Sequence, residues 1–284
     1  MSKYTINTSN LTKEFGAGRT KVTAVDHIDL SIQGGEIVLI MGPSGSGKTT
    51  LLSMIGGLLT PTSGHIEIDG VNITKLNEAQ LPSIRAQKIG FIFQGFNLLD
   101  ALTVEENIIF PSLLVAQQKK RVVERANYLL ETLNIAHRRN SLPKTLSGGE
   151  KQRVAIARAM INEAPILLAD EPTGNLDSQN GQDVMMILHE LARDKKCTVL
   201  IVTHDPRVEE IADKILWLED GKLHDRRIEK HLWAIDPVCG MKVDQWTASI
   251  TSKYNDETFY FCTSKCKARF DADPTKYVSS QAFN

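Results

Sequence analysis

Gly42-Pro43-Ser44-Gly45-Ser46-Gly47-Lys48-Thr49-Thr50 is the stretch of this chain whose residue types and spacing most directly specify a chemistry. The spacing G-x-x-x-x-G-K-[ST] lets consecutive backbone N–H groups and a helix N-terminus converge on phosphate oxygens. Lys48 then serves the β/γ-phosphates, and the Thr49 hydroxyl serves Mg²⁺. The flanks agree, because an apolar run from Glu36 to Met41 precedes the glycines and another from Leu51 to Leu59 follows them. Strand, glycine loop and helix in that order predict a nucleoside triphosphate site.

Two further stretches complete the chemistry. The apolar run Ile166 to Ala169 stops at Asp170-Glu171. In a phosphate-loop enzyme the first strand-end carboxylate holds Mg²⁺ and the second sits where a water attacks the γ-phosphate. Leu146-Ser147-Gly148-Gly149-Glu150 opens another helix, where adjacent glycines and the Ser147 hydroxyl offer a second anion-binding N-terminus. Two such helix starts do not readily serve one phosphate within one chain.

The elements that must position these groups follow from periodicity and punctuation. From Tyr4 to Ile32, β-favouring pieces alternate with turn signals, and His65 to Asp69 alternates apolar and polar residues, which together predict a small antiparallel β-layer. Ile89 to Gln94 reads as a buried strand ending on a polar residue. A helical pattern then runs from the capping-box signature Thr103-Val104-Glu105-Glu106 to Leu133, bounded by a loop over Asn140 to Leu146. Ser147 opens a helix through Val154, Ala157, Arg158 and Ile161, and Pro165 starts the next strand. A helix from Ser178 to Arg193, a strand from Cys197 to Thr203, and His204-Asp205-Pro206 with a short helix come next. Lys214 to Leu218 and Gly221 to His224 close the pattern. Strands alternating with helices predict a mostly parallel sheet with its ligand at the strand C-termini. The expected fold class is α/β, a phosphate-loop NTPase core with an antiparallel β-layer and an inserted helical subdomain, plus a small cysteine-containing C-terminal domain. The expected boundaries are 1–228 for the first domain, 229–234 for a linker and 235–280 for the second.

These residues resemble the ATP-binding subunits of ABC transporters from Tyr4 to about Arg227. The phosphate loop resembles Walker A, Ile166 to Glu171 resembles Walker B, and Leu146 to Glu150 resembles the family signature. The resemblance implies further roles. Phe15 is the aromatic that stacks on adenine, and Gln94 is the Q-loop glutamine that senses Mg²⁺, the attacking water and the membrane partner. Asp177 belongs to the D-loop, and His204 is the switch histidine on the γ-phosphate. It also implies a head-to-tail homodimer, with ATP between Walker A of one copy and Ser147, Gly148 and Gly149 of the other. Ala169 to Asp177, with Ile89 to Leu99, is similar to ATPase subunits of the lipoprotein-releasing, macrolide-exporting and cell-division type. No membrane span follows the ATPase region, so a separate transmembrane permease is expected, with this chain peripheral on the cytoplasmic face of the plasma membrane.

The last fifty or so residues differ in character. Cys239, Cys262 and Cys266 are spaced C-x22-C-x3-C, a reasonable site for a soft or borderline metal. The stretch from Ile235 to about Ser279 resembles a YHS domain, a type associated with heavy-metal handling. No histidine follows Cys239, which leaves Met241, a carboxylate such as Asp236, His231 or His224, or an exogenous group as a fourth ligand. A thioether would suit Cu⁺ and a carboxylate would tilt toward Zn²⁺. Cysteines packing as small hydrophobes in a metal-free module are the alternative. Cys197, in an apolar strand, is assigned to the core.

Composition narrows the partners. Thirty-three Lys and Arg face 34 Asp and Glu in 284 residues, so no global field recruits nucleic acid. The apolar runs fall far short of the roughly 20 residues a bilayer-spanning helix needs. Three functions remain: an export ATPase linked to metal handling, a metal-independent ATPase for lipoprotein, peptide, drug or envelope force, and a metal-sensing module on a nucleotide-binding scaffold.

Overall fold

The computed structural model describes residues 4–115, 117–225, 233–239, 242–244, 248, 250–255, 257–261 and 263–278. They fall into two units, 1–226 and 227–284.

The first unit opens with β1 (Tyr4–Phe15) and β2 (Val22–Gln33), paired antiparallel. β3 (Ile37–Met41) leads through the glycine loop into α1 (Lys48–Ile55). β4 (Ser63–Ile68) and β5 (Val71–Asn72) complete a four-stranded layer in the order β2-β1-β4-β5. Then come α2 (Leu81–Lys88), β6 (Ile89–Ile92), α3 (Val104–Ile109) and α4 (Lys119–Thr132). α5 (Gly148–Met160), β7 (Ile166–Asp170), α6 (Ser178–Lys195) and β8 (Thr198–Val202) follow. β9 (Lys214–Glu219) and β10 (Lys222–Asp225) end the unit. The main sheet runs β10-β9-β3-β8-β7-β6, parallel throughout except for the β9–β10 hairpin.

β3 shows why this sheet holds its register. All five of its residues are buried. Successive side chains of a strand point to opposite faces, and here Ile37, Leu39 and Met41 join one core with α5 and α6, while Val38 and Ile40 join another with α1 and the antiparallel layer. β7 and β8 divide their residues the same way. The strands are therefore apolar runs rather than alternating ones, as burial on both faces requires.

The sequence patterns differ from the structure in a few places with physical causes. The helical stretch predicted from Thr103 to Leu133 is interrupted by a 3₁₀ turn over Phe110–Leu114, where Pro111 removes a backbone donor. The Thr103 capping box forms as expected, with both reciprocal bonds to Glu106. α2 carries no fully buried residue, so it left no apolar stripe to read. No helix among the described residues is long and apolar enough to cross a membrane.

In the second unit, β11 (Trp233–Ile235) pairs with β12 (Lys242–Asp244), and β13 (Thr251–Tyr254) pairs with β14 (Glu257–Tyr260), both antiparallel. α7 (Ser264–Ala272) and α8 (Thr275–Val278) follow. Its core is aromatic, with Phe270 in ring contact with Phe259 at 4.8 Å and Phe261 at 5.1 Å. Three buried phenylalanines among the described residues are a small core, a situation in which small folds commonly draw on metals or disulfides.

Candidate nucleotide site

Four parallel strands deliver the site from their C-terminal ends. β3 releases the glycine loop, β6 leads to Gln94, β7 ends on Asp170 with Glu171 next, and β8 leads to Thr203 and His204. Pro43, Ser44, Gly45, Gly47, Lys48, Thr49 and Thr50 line a cavity of about 600 Å³ together with Ala24, Gln94, Glu171 and His204.

The loop takes its shape from glycine. Gly47 caps α1 at φ 102°, and a Cβ there would stand 2.1 Å from the Ala24 carbonyl oxygen. At Gly42 a Cβ would stand 2.0 Å from Leu218 O. Ser46 is buried in the same loop, its Oγ without a hydrogen-bond partner among the described residues. Lys48 donates to Gly42 O and Pro43 O, each at 2.8 Å. Burial holds the Lys48 ammonium below its ordinary value, against the pull of Glu171 and Asp170.

Thr49 Oγ1 donates to Asp170 Oδ1 at 3.1 Å, so a hydroxyl and a carboxylate already converge from the loop and from β7. Two hard oxygen donors in contact fit Mg²⁺, which is held by one or two protein oxygens plus substrate phosphates and water. Burial raises the Asp170 carboxyl, assisted by the neighbouring charge of Glu171. Glu171 sits in a tight turn at φ 46°. Thr203 Oγ1 donates to its Oε2 at 2.7 Å, and His204 Nδ1 lies 2.8 Å from its Oε1. Asp205 is locked behind them by Thr173 and by the Arg207 fork. Burial pushes the Asp205 carboxyl up, but the Arg207 and Thr173 bonds together hold it below its ordinary value.

The second helix start is equally well made. Ser147 Oγ accepts from Glu150 N, and Glu150 Oε2 accepts from Ser147 N at 2.7 Å. That backbone bond, helped by Arg138 at 2.7 Å, holds the Glu150 carboxyl down at about 2. Gly149 lies against the start of α6, where an added Cβ would meet Asn180 Oδ1 at 2.3 Å. Asp177 caps α6, accepting from Asn180 N at 2.9 Å.

The structure thus gathers the phosphate loop, Gln94, Asp170, Glu171 and His204 in one place. Ser147, Gly148, Gly149 and Asp177 are not among the residues lining that cavity, nor is Phe15, which ends β1 about half exposed under Lys13 Nζ. Ala24 is a lining residue that sequence reasoning missed. It acts through its backbone and carried no signal. Cys197 packs against the core, partly buried, its thiol pushed up to about 12 by burial.

In the second unit, Asp236, Cys239 and Cys266 bring a carboxylate oxygen and two sulfurs within 4.8 Å of one another. Asp236 is fully buried and accepts from Val238 N at 2.9 Å, and Cys266 lies in the first turn of α7 above the Thr263 cap. Cys262, Met241 and His231 lie outside the described residues.

A parallel sheet with a phosphate loop, paired strand-end carboxylates and a second capped helix start defines a phosphate-loop ATPase. Residues 25–174 match the ABC transporter family, and the chain belongs to it as an ATP-binding, ATP-hydrolysing cassette. Residues 234–281 match the YHS domain family. The chain is 43% identical over 222 residues to the ABC transporter ATP-binding protein MJ0796 of Methanocaldococcus jannaschii, covering 77% of this chain and 94% of that one. It is 44% identical over 218 residues to the macrolide export ATP-binding/permease protein MacB of Aggregatibacter actinomycetemcomitans, covering 77% of this chain but only 34% of MacB. The chain therefore spans about a third of the length of that relative. A solved dimeric, post-hydrolysis structure of MJ0796 bound to ADP and Pi superposes with a TM-score of 0.72 at 40% identity, over 78% of this chain and 99% of that one.

Proposed function

We propose that two copies of this chain close head to tail on ATP and drive a separate membrane permease of the exporting or force-transmitting type. In this reading residues 1–228 form the ATPase, 229–234 a linker and 235–280 the YHS-like domain. The carrying observation is that the chain builds two phosphate-ready helix starts and only one of them lines the cavity. The Ser147–Gly149 end is then free to meet the phosphates held by the partner copy, as the dimeric state of the MJ0796 structure suggests.

Within each site Lys48 and the loop amides hold the β/γ-phosphates. Thr49, Asp170 and Gln94 would hold Mg²⁺, which when bound offsets phosphate charge. Glu171 accepts the proton of the attacking water, oriented by Thr203, while His204 contacts the γ-phosphate and holds Glu171. Phe15 stacks on the base, and Asp177 touches the partner. An apolar groove lined by Leu58, Phe91, Phe93, Pro111 and Leu114 lies beside the Gln94 strand, and Phe110 and Leu113, next in sequence to two of these, are exposed. In this reading the groove takes a cytoplasmic segment of the permease, with the chain peripheral at the membrane.

Complementation tests the composite site. Lys48→Met and Gly149→Asp each abolish turnover alone, and mixing the two recovers activity above their sum, because one of the two sites in a mixed dimer keeps both intact halves. No recovery on mixing, with each variant still binding partner chain, would place the whole site within one copy.

A second reading concerns the small unit, favoured by the convergence of Asp236, Cys239 and Cys266. Ligands around a tetrahedral zinc stand about 3.3–3.9 Å apart, so donors within 4.8 Å need only small side-chain adjustments. A carboxylate with two thiolates suits a borderline ion such as Zn²⁺ over the softer Cu⁺. In this reading the donor set is the feature that would connect the ATPase to heavy-metal handling. Full-length chain titrated with Zn²⁺ binds one ion, and Asp236→Asn or Cys239→Ser weakens it at least about tenfold. Unchanged affinity in both variants would reject the site, and preferential Cu⁺ binding would reject the carboxylate.

A further inference from the structure

The loop after Gln94 is held by two side chains that the phosphate chemistry does not call for. Asn175 Nδ2 donates to Gln94 O at 2.6 Å. Arg158, on α5, donates from both terminal nitrogens to the next carbonyls along, Phe96 O at 2.7 Å and Asn97 O. Phe96 stands at φ 61°, a conformation that a bulky side-chain-bearing residue holds only where the surroundings enforce it, followed by Asn97 at φ 49°, which asparagine adopts more readily. Arg158 supplies that enforcement. Its guanidinium is largely withdrawn from water and is lowered by burial alone, with no carboxylate influencing it among the described residues. A cation placed so is costly, and a simple packing role would be better filled by an apolar side chain.

The position of Arg158 gives the arrangement its meaning. α5 begins at the Ser147 cap, and Arg158 lies three turns further along the same rigid helix, about 16 Å away. One turn beyond, Asn162 donates to Ala86 O at 2.9 Å and to Pro111 O at 3.2 Å. Both side chains line the apolar groove.

We propose that Arg158 is a positioning residue, setting the Gln94 loop from the far end of the Ser147 helix so that displacement of α5 or of the groove is delivered to Gln94. The proposal rests on the reading that Gln94 acts on bound ATP and Mg²⁺. Arginine suits the position because its planar fork presents two nitrogens in fixed geometry, one to each carbonyl, where a lysine offers a single, more flexible ammonium nitrogen.

The experiment compares Arg158→Met, Arg158→Lys, Gln94→Ala and the Gln94→Ala/Arg158→Met pair in the full chain. It measures kcat, ATP affinity, the Mg²⁺ concentration for half-maximal rate, and thermal unfolding. Arg158→Met lowers kcat about 10- to 100-fold, raises the Mg²⁺ requirement and leaves ATP affinity nearly unchanged. Arg158→Lys, which keeps the charge and one bond, falls between and serves alone should the methionine variant not fold. The pair is no slower than Gln94→Ala by itself, since both act through one group. Wild-type turnover and Mg²⁺ requirement in the Arg158 variants beside a slow Gln94→Ala would overturn the proposal, as would losses that multiply in the pair. Unchanged turnover in Gln94→Ala would remove Gln94 from the reaction and the proposal with it.

Discussion

Glu171→Gln lowers ATP turnover by about 10²- to 10⁴-fold, the range expected when a general base is lost, while ATP still binds. The substitution keeps the shape of the side chain and its ability to accept from Thr203 Oγ1, which now lies 2.7 Å from Oε2. What disappears is the basicity that draws a proton from water. The His204 contact at 2.8 Å is to a carboxylate oxygen, and an amide in its place weakens that attraction as well. Phosphate release under steady state gives the first quantity and fluorescent-nucleotide titration the second. With hydrolysis stalled, ATP and Mg²⁺ should shift sedimentation toward a dimer. Turnover within a few-fold of the parent would take the base role from Glu171 and leave it as a structural neighbour of Thr203 and His204.

Gly47→Ala destroys nucleotide binding and destabilises the first unit by about 2–4 kcal/mol, combining the cost of a non-glycine residue at positive φ with an overpacking contact. The added Cβ would stand 2.1 Å from a backbone oxygen of Ala24, and neither backbone can yield without moving β2 or the start of α1. Gly70→Ala is the control. Gly70 also has positive φ, at 78°, but nothing stands within 4 Å of its added Cβ. Its cost stays near about 1 kcal/mol, and ATP binding is retained. Urea unfolding and nucleotide titration on both variants separate backbone strain from the specific fit of the loop. Equal effects at the two glycines would mean that the approach of Ala24 is unimportant.

What could be read in advance was what neighbouring residues decide among themselves. The glycine loop, the Thr103 and Ser147 capping boxes, and the doubly buried strands declare themselves within a few positions. Contacts between distant segments left no such mark. The Ala24–Gly47 approach, the Arg158 hold on Phe96 and Asn97, and the Asn175 bond to Gln94 join residues 23 to 81 positions apart. In the small unit, spacing marked the cysteines but left the accompanying ligand open among several residues. Among the described residues it is Asp236, accepting from Val238 N, whose carboxylate lies within 4.8 Å of the Cys239 and Cys266 sulfurs.

The two-sided burial of β3 also fixes the metric of the site. A slip of one residue would exchange the faces of Ile37, Leu39 and Met41 with those of Val38 and Ile40, forcing both close-packed cores to accept side chains of the wrong shape at once. The register of β3, β8 and β7 thereby sets where the glycine loop and the strand-end carboxylates lie relative to one another. Insertions can lengthen the loops around this engine, but its catalytic spacing tolerates no gradual drift.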